Sequence, residues 1–221
     1  MNEGGIRLYS YWRSSAAFRV RIALNLKGLP YQLLPVNIAP GVSEQRAPAF
    51  AELNSQQMVP LLIDGGRVIR QSLAIIEYIE EMYEGPRLLP TTARERARAR
   101  SLALQIACDI HPLNNLRVLE YLEQEAGMPK IERENWAQHW ITRGFASIEE
   151  QLAESPSTGD FCEGDLPSIA DCCLVPQLHN ARRWSVDLTP YPTMNRIAEN
   201  CLALPAFERA RPENQPDAPV H

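Results

Sequence analysis

An α/β domain over residues 1–85, joined by a linker at 86–92 to an all-helical domain over 93–221, is the architecture that the sequence predicts. Three observations carry it. Leu8 to Gly28 reads as a strand, a loop with two adjacent hydroxyls (Ser14 and Ser15), and a helix stopped by glycine. Two β-rich runs then flank Asp64-Gly65-Gly66, a strong hairpin signal. After Gly85-Pro86-Arg87-Leu88-Leu89-Pro90-Thr91-Thr92 no alternating pattern recurs, and long helical periods take over.

The elements follow in order. Ile6 and Leu8 alternate around Arg7 as a short strand. Phe18, Ile22 and Leu26 recur at helical spacing, with Arg21 and Asn25 on another face, and Gly28 fits the left-handed position that ends a helix. Tyr31 to Asn37 gives a second strand and closes a βαβ unit, and Ser43 to Leu53 is a weaker helical stretch. Pro60 opens the first hairpin strand, where only the first ladder bond is missing. Leu73, Ile76, Ile79 and Tyr83 mark an amphipathic helix with Ser72 as its expected N-cap. In the second domain, helices are expected over 93–125, 131–153, 168–183 and 193–202, with a short turn at 206–211. Pro112 should kink the first of these. Ser168-Ile169-Ala170-Asp171 matches a capping box with Asp in place of Glu or Gln. The proline-rich tail from Pro212 to His221 reads as frayed.

The 221 residues suffice for two small cores, and the net charge of −5 gives no case for nucleic acid or an anionic membrane. No run approaches the roughly 18 apolar residues that a membrane span needs. Met1 to Gly5 lack a signal-peptide pattern. The five cysteines have no CxxC spacing, and Cys172 and Cys173 would point about 100° apart on a helix, so no metal site is expected. Idle thiols fit a reducing cytoplasm.

Hydroxyls at a helix mouth face unpaired N–H groups and the positive end of the helix dipole, a place to hold an anion. On local sequence alone Ser14 and Ser15 read first as plain caps, since serine is a favoured N-cap.

The whole chain, however, resembles the glutathione transferases. Ser14-Ser15-Ala16-Ala17-Phe18-Arg19-Val20-Arg21-Ile22-Ala23-Leu24 is similar to the signature of the zeta class, and Asn54 with Val59-Pro60, Gln71-Ser72-Leu73-Ala74-Ile75-Ile76-Glu77-Tyr78, Ala170-Asp171 and Val186 to Pro192 match as well. The resemblance implies a thioredoxin-like N-terminal domain, a helical C-terminal domain, glutathione as cofactor and a homodimer. It implies that Ser14, with Ser15 beside it, donates to the glutathione thiolate. Ala16, Ala17, Phe18, Arg19, Gln45, Val59, Pro60, Gln71 and Ser72 would frame the tripeptide, with Pro60 in the cis form and Gln71-Ser72 gripping its γ-glutamyl carboxylate. His111, Asn115, Leu116 and Arg117 match a further ligand-contact stretch, and Arg183 matches a basic position near the substrate, while Arg13 stands beside the serines. Where the family has cysteine this chain has Ala16, so no protein thiol sits in that loop.

The family contains maleylacetoacetate isomerases and maleylpyruvate isomerases of aromatic-acid catabolism. The implied reaction adds the glutathione thiolate to a cis double bond, lets the bond rotate and expels the thiolate, giving the trans diacid. Maleylacetoacetate is the expected substrate and maleylpyruvate the close alternative. A transferase that conjugates electrophiles, and a non-enzymatic binding protein on the same fold, are the other readings.

Overall fold

The computed structural model describes residues 5–219. The N-terminal reading over Met1 to Gly4 and the last two residues of the tail lie outside them. Residues up to Leu88, together with those from Ala203 onward, form one compact unit, and Leu89–Leu202 form another.

In the first unit β1 (Ile6–Ser10) leads through the Tyr11–Ser14 turn into α1 (Ser15–Leu26), and β2 (Tyr31–Pro35) runs parallel to β1 with Ile6 opposite Tyr31. The stretch expected as one helix over 43–53 is a 3-10 turn, Glu44–Arg46, followed by α2 (Pro48–Leu53). The break falls at Ala47, which is extended (ψ 141°) because a residue before proline is pushed out of the helical region. The hairpin forms as the sequence predicts, with β3 (Leu61–Asp64) and β4 (Arg67–Arg70) joined through Gly65 and Gly66 at φ 53° and 82°. Then α3 (Ser72–Met82) follows. The sheet order is β2-β1-β3-β4, with β1 and β3 antiparallel. Leu8, Phe18, Ile22, Leu61, Leu62, Ile75, Ile76 and Ile79 fill the core. Lys27, at the end of α1, pairs with Glu80 at 2.7 Å and donates to the Tyr83 carbonyl, tying α1 to α3.

In the second unit α4 (Ala93–Leu104) opens on a Thr92–Glu95 capping box. The helix expected over 93–125 does not run through. It loosens into a π-helical turn at Gln105–Ile110, tightens into a 3-10 turn at His111–Asn114, and restarts as α5 (Leu116–Gln124). Pro112 has no N–H to donate and its ring crowds the carbonyl one turn back, so the regular ladder ends there. The remaining helices are α6 (Lys130–Glu154), α7 (Ile169–Arg183) and α8 (Pro192–Leu202). The Ser168–Asp171 capping box forms, and the Asp171 carboxylate accepts from the Ser168 N–H (2.8 Å), the Ser168 hydroxyl (2.9 Å) and the Cys162 N–H (2.9 Å). Its burial raises its pKa, and those hydrogen bonds act against the rise.

The chain returns to the first unit with α9 (Pro205–Ala210), so the described residues from 203 onward, expected in the helical domain, belong by contact to the α/β unit. The reason is polar. Asn25 donates to the Ala206 carbonyl (2.9 Å), and Arg21 donates through Nε to the Ala210 carbonyl (3.0 Å). Arg21 is fully buried and also donates to the Ser10 hydroxyl (3.0 Å) and to the Tyr11 (3.4 Å) and Trp12 (3.0 Å) carbonyls. Burial lowers its pKa to about 10, which leaves it charged at neutral pH. The tail is therefore not frayed over its described part. Gln215 is buried and donates to the Arg209 and Arg211 carbonyls, and Asp217 accepts the Trp12 N–H at 2.8 Å.

Replacing Arg21 by Met strands one hydroxyl and three carbonyls, and the expected loss is roughly 3 kcal/mol of unfolding free energy in urea titrations. Arg21→Lys should recover little of it, since an ammonium lacks the planar fork that reaches all four acceptors.

Candidate functional site

Strand register assembles the predicted residues of the α/β unit. Leu61 at the start of β3 stands opposite Tyr9 on one side and Arg70 on the other. The exit of β1, the entry of β3 and the exit of β4 thus lie at one end of the sheet, carrying Ser14-Ser15, Val59-Pro60 and Gln71-Ser72. Val59 packs in a cluster with Tyr11, Val36, Phe50 and Leu61, with Trp12 against it.

Ser14 is the N-cap of α1, and its Oγ accepts the Ala17 N–H at 3.2 Å. This consumes a lone pair and leaves the hydroxyl proton free to be donated. Capping and proton donation, which the sequence leaves as alternatives, are compatible in this geometry. Ser15 is the first helical residue and is buried. Ala17, Phe18 and Arg19 are buried too, so they face the core rather than solvent.

The Val59–Pro60 peptide is cis. Among the described residues no backbone hydrogen bond engages the Val59 N–H or C=O. Asn54 braces this loop by donating to the Met58 carbonyl (2.7 Å), while its own oxygen accepts from Gln56 N–H and Arg70 Nε. Arg70 also donates to the Leu53 carbonyl (2.8 Å).

The N-cap of α3 is Gln71, not Ser72 as expected from the sequence. Gln71 sits at φ 68°, ψ 121°, a region that L-residues avoid, and its side chain donates to Gln56 Oε1 (3.1 Å) instead of capping. Ser72 is buried at the first helical position, and its Oγ accepts from Arg19 Nη1 at 3.2 Å. The Ser72 proton is thereby directed away from Arg19. Gln45 is buried with its Oε1 unpartnered among the described residues. Two hydroxyl protons, a free peptide edge and an unsatisfied amide oxygen at one sheet end suit a ligand that is itself a peptide and carries anionic groups.

The other predicted residues lie in the helical unit. His111 Nε2 stands 3.4 Å from Asn115 Nδ2, and Asn115 caps α5 by accepting the Arg117 N–H. Leu116 is the first residue of α5, and the Arg117 side chain is exposed. Arg183 closes α7 with its guanidinium 5.1 Å over the Trp184 ring. Trp136 of α6 donates to the Leu113 carbonyl and Gln138 to the Trp184 carbonyl. Two residues apart on a helix point from different faces, so the His111–Arg117 turn and Arg183 flank different sides of α6.

Comparison with known proteins now decides the family. A model of the glutathione S-transferase N-terminal domain matches residues 8–87. A probable maleylacetoacetate isomerase of Vibrio cholerae is 50% identical over 96% of this chain and 97% of its own length. The chain belongs to the zeta-class glutathione transferases. A holo maleylpyruvate isomerase described as zeta class superposes with a TM-score of 0.93 at 48% identity, covering 96% of this chain and 100% of that one. A maleylacetoacetate isomerase from Methylobacterium extorquens AM1, solved with malonate and glutathione bound, superposes at 0.94 with 43% identity over 97% and 100% of the two chains.

Within this family frame three of the chain's own thiols, at Cys162, Cys172 and Cys201, are poor candidates for chemistry. Burial pushes the Cys162, Cys172 and Cys201 thiols up, and Ala16 leaves none at the mouth of α1. Arg70, Gln56 and Asp217 are not marked in the sequence as site residues, and Asn54 is marked only by resemblance. An arginine immediately before the Gln-Ser pair was the one local signal for Arg70; Gln56 and Asp217 had none.

The strain at Gln71 has a measurable consequence. Gln71→Gly removes a side chain from a conformation that costs about 1–3 kcal/mol, against about 0.5–1 kcal/mol of added unfolded-state entropy. The variant should unfold at higher urea concentration than wild type, by a net of roughly 1 kcal/mol.

Proposed function

We propose that this chain is a glutathione-dependent cis–trans isomerase of maleyl diacids, with maleylacetoacetate as substrate ahead of maleylpyruvate, working in aromatic-acid catabolism as a cytoplasmic homodimer. The observation that carries the reading is the Ser14 hydroxyl, bound as a cap through its oxygen and left with a proton to donate at the mouth of α1.

Gln71 and Ser72 at the start of the 11-residue α3 would hold the γ-glutamyl carboxylate, by a hydroxyl donor and the first N–H groups of the helix. The Val59 N–H and C=O would pair with the cysteinyl amide as an added strand, and the Gln45 amide oxygen would accept from the ligand backbone. Glutathione held there supplies a nucleophilic thiolate able to add reversibly to an electron-poor double bond. A free thiol has a pKa near 8.5, so only a few per cent is ionised at neutral pH. Ser14 donating to sulfur, with the positive end of α1 beside it, favours the charged form. Ser15 is its near neighbour. Of the groups expected at the carboxylates of the diacid, His111 and Arg117 lie together in one turn and are assigned to it, while Arg183 flanks another side of α6. Maleylpyruvate is retained as the second substrate because the holo structure at 48% identity is a maleylpyruvate isomerase.

The test follows each diacid by the absorbance of its trans product with catalytic glutathione. Wild type should turn over many substrate molecules per glutathione, and stoichiometric loss of glutathione would instead mark a conjugating transferase. Ser14→Ala should lower kcat by about 10²-fold or more, the usual effect of removing one preorganised donor. Ser72→Ala should raise the KM for glutathione about tenfold with kcat nearly unchanged, as for a lost hydrogen bond to a charged group.

A further inference from the structure

The Tyr11–Ser14 turn is pinned from two directions. Inside the turn the Ser14 N–H donates to the Tyr11 carbonyl at 3.0 Å. On one side Arg21 holds the Tyr11 and Trp12 carbonyls. On the other the Asp217 carboxylate accepts the Trp12 N–H at 2.8 Å across 205 residues of sequence. Trp12 therefore has both its backbone N–H and its backbone C=O held by charged partners, two residues before the hydroxyl assigned to the thiolate.

Asp217 is carried to this position by a latched tail. Asn25 holds Ala206, Arg21 holds Ala210, and Gln215 folds back onto Arg209 and Arg211. The charge arrangement agrees with the geometry: burial depresses Arg21, and Tyr31, Asp217 and Glu213 act in the opposite direction. The tail thus brings a carboxylate to the turn that the guanidinium orders.

We infer that Asp217 is a positioning residue for the isomerisation, acting through the Trp12 N–H to hold the Ser14 hydroxyl on its line to sulfur. The inference rests on the proposed role of Ser14 and extends the catalytic machinery to the tail, which is remote in sequence from every predicted site residue. Asp217 touches neither the reacting atoms nor the groups assigned to the γ-glutamyl end. Its loss should therefore fall on kcat, while the Gln71, Ser72 and Val59 contacts that set glutathione affinity stay in place.

The experiment compares wild type with Asp217→Ala and Asp217→Asn, the latter keeping an acceptor oxygen. Three measurements are made on each: melting temperature, kcat and KM for glutathione, and backbone hydrogen exchange over residues 11–15 and over β4 and α3. The expected result for Asp217→Ala is a kcat lower by about tenfold, as for a sub-ångström misplacement of one donor, with KM within about twofold. Exchange over 11–15 should quicken with β4 and α3 unchanged, and Asp217→Asn should restore most of the activity. Unchanged kcat and exchange in Asp217→Ala would overturn the inference. So would a parallel fall of melting temperature, kcat and glutathione affinity in both variants, since that marks a merely structural contact. If wild type itself isomerises neither diacid, the proposed function falls, and the exchange arm alone decides the latch: quickened exchange over 11–15 supports it and unchanged exchange refutes it.

Discussion

A fully buried guanidinium organises the α/β unit. Removing an arginine from water is costly unless every face of its fork finds an acceptor. Arg21 meets this condition with the Ser10 hydroxyl and the Tyr11, Trp12 and Ala210 carbonyls. Three of those four lie in one three-residue stretch. Because the fork is planar and rigid, the stretch must take the path that satisfies it, and the loop between β1 and α1 loses its freedom. The fourth acceptor sits at the end of α9, so the same charge recruits the returning chain. Loop geometry, helix start and tail docking thus depend on a single side chain.

Much of the fold is written locally. The Gly65-Gly66 turn, the left-handed Gly28 and the Ser168–Asp171 box are each set by the steric or hydrogen-bonding properties of a few adjacent residues, and periodicity with turn chemistry suffices to read them. What was not legible depends on distant partners. Arg21 and Asn25 fall on a second face of α1, and helical spacing alone does not say that this face is covered by residues 206–210. A run of prolines with Asp and Gln has the composition of a loose end, yet its Asp217 has a partner at Trp12. Pro112 announced an interruption, but whether the chain kinks or passes through π and 3-10 turns is decided by what packs around it. Gly144 shows this, since a Cβ there would collide with the Ile110 side chain at the end of the π-helical turn.

The site is where local rules are broken. Gln71 takes a positive φ that glycine would adopt without strain, Gln45 buries an amide oxygen with no partner among the described residues, and Ser72 occupies the helix start without capping it. Ser72 is the better cap chemically, and the sequence alone points to it. The chain instead strains Gln71 and leaves the Ser72 proton available, with Arg19 occupying its oxygen. Departures of this kind are expected where residues serve a ligand rather than the fold, which agrees with the glutathione contacts proposed for these three.

The same physics treats two kinds of thiol in opposite ways. Protein thiols at Cys162, Cys172 and Cys201 are enclosed in a helical core, where desolvation penalises their charged form. The place that would favour a thiolate, a helix mouth with a hydroxyl proton to give, carries alanine where the family signature has cysteine. A thiolate stabilised there must therefore arrive with the ligand, and under the proposed function the catalytic task of the loop reduces to aiming one serine proton. Aim depends on the stiffness of the backbone that carries the serine, and that stiffness comes from Arg21 and from the tail it holds. The buried charge at the centre of the unit and the proposed activation of a ligand sulfur at its edge are consequently one mechanical problem.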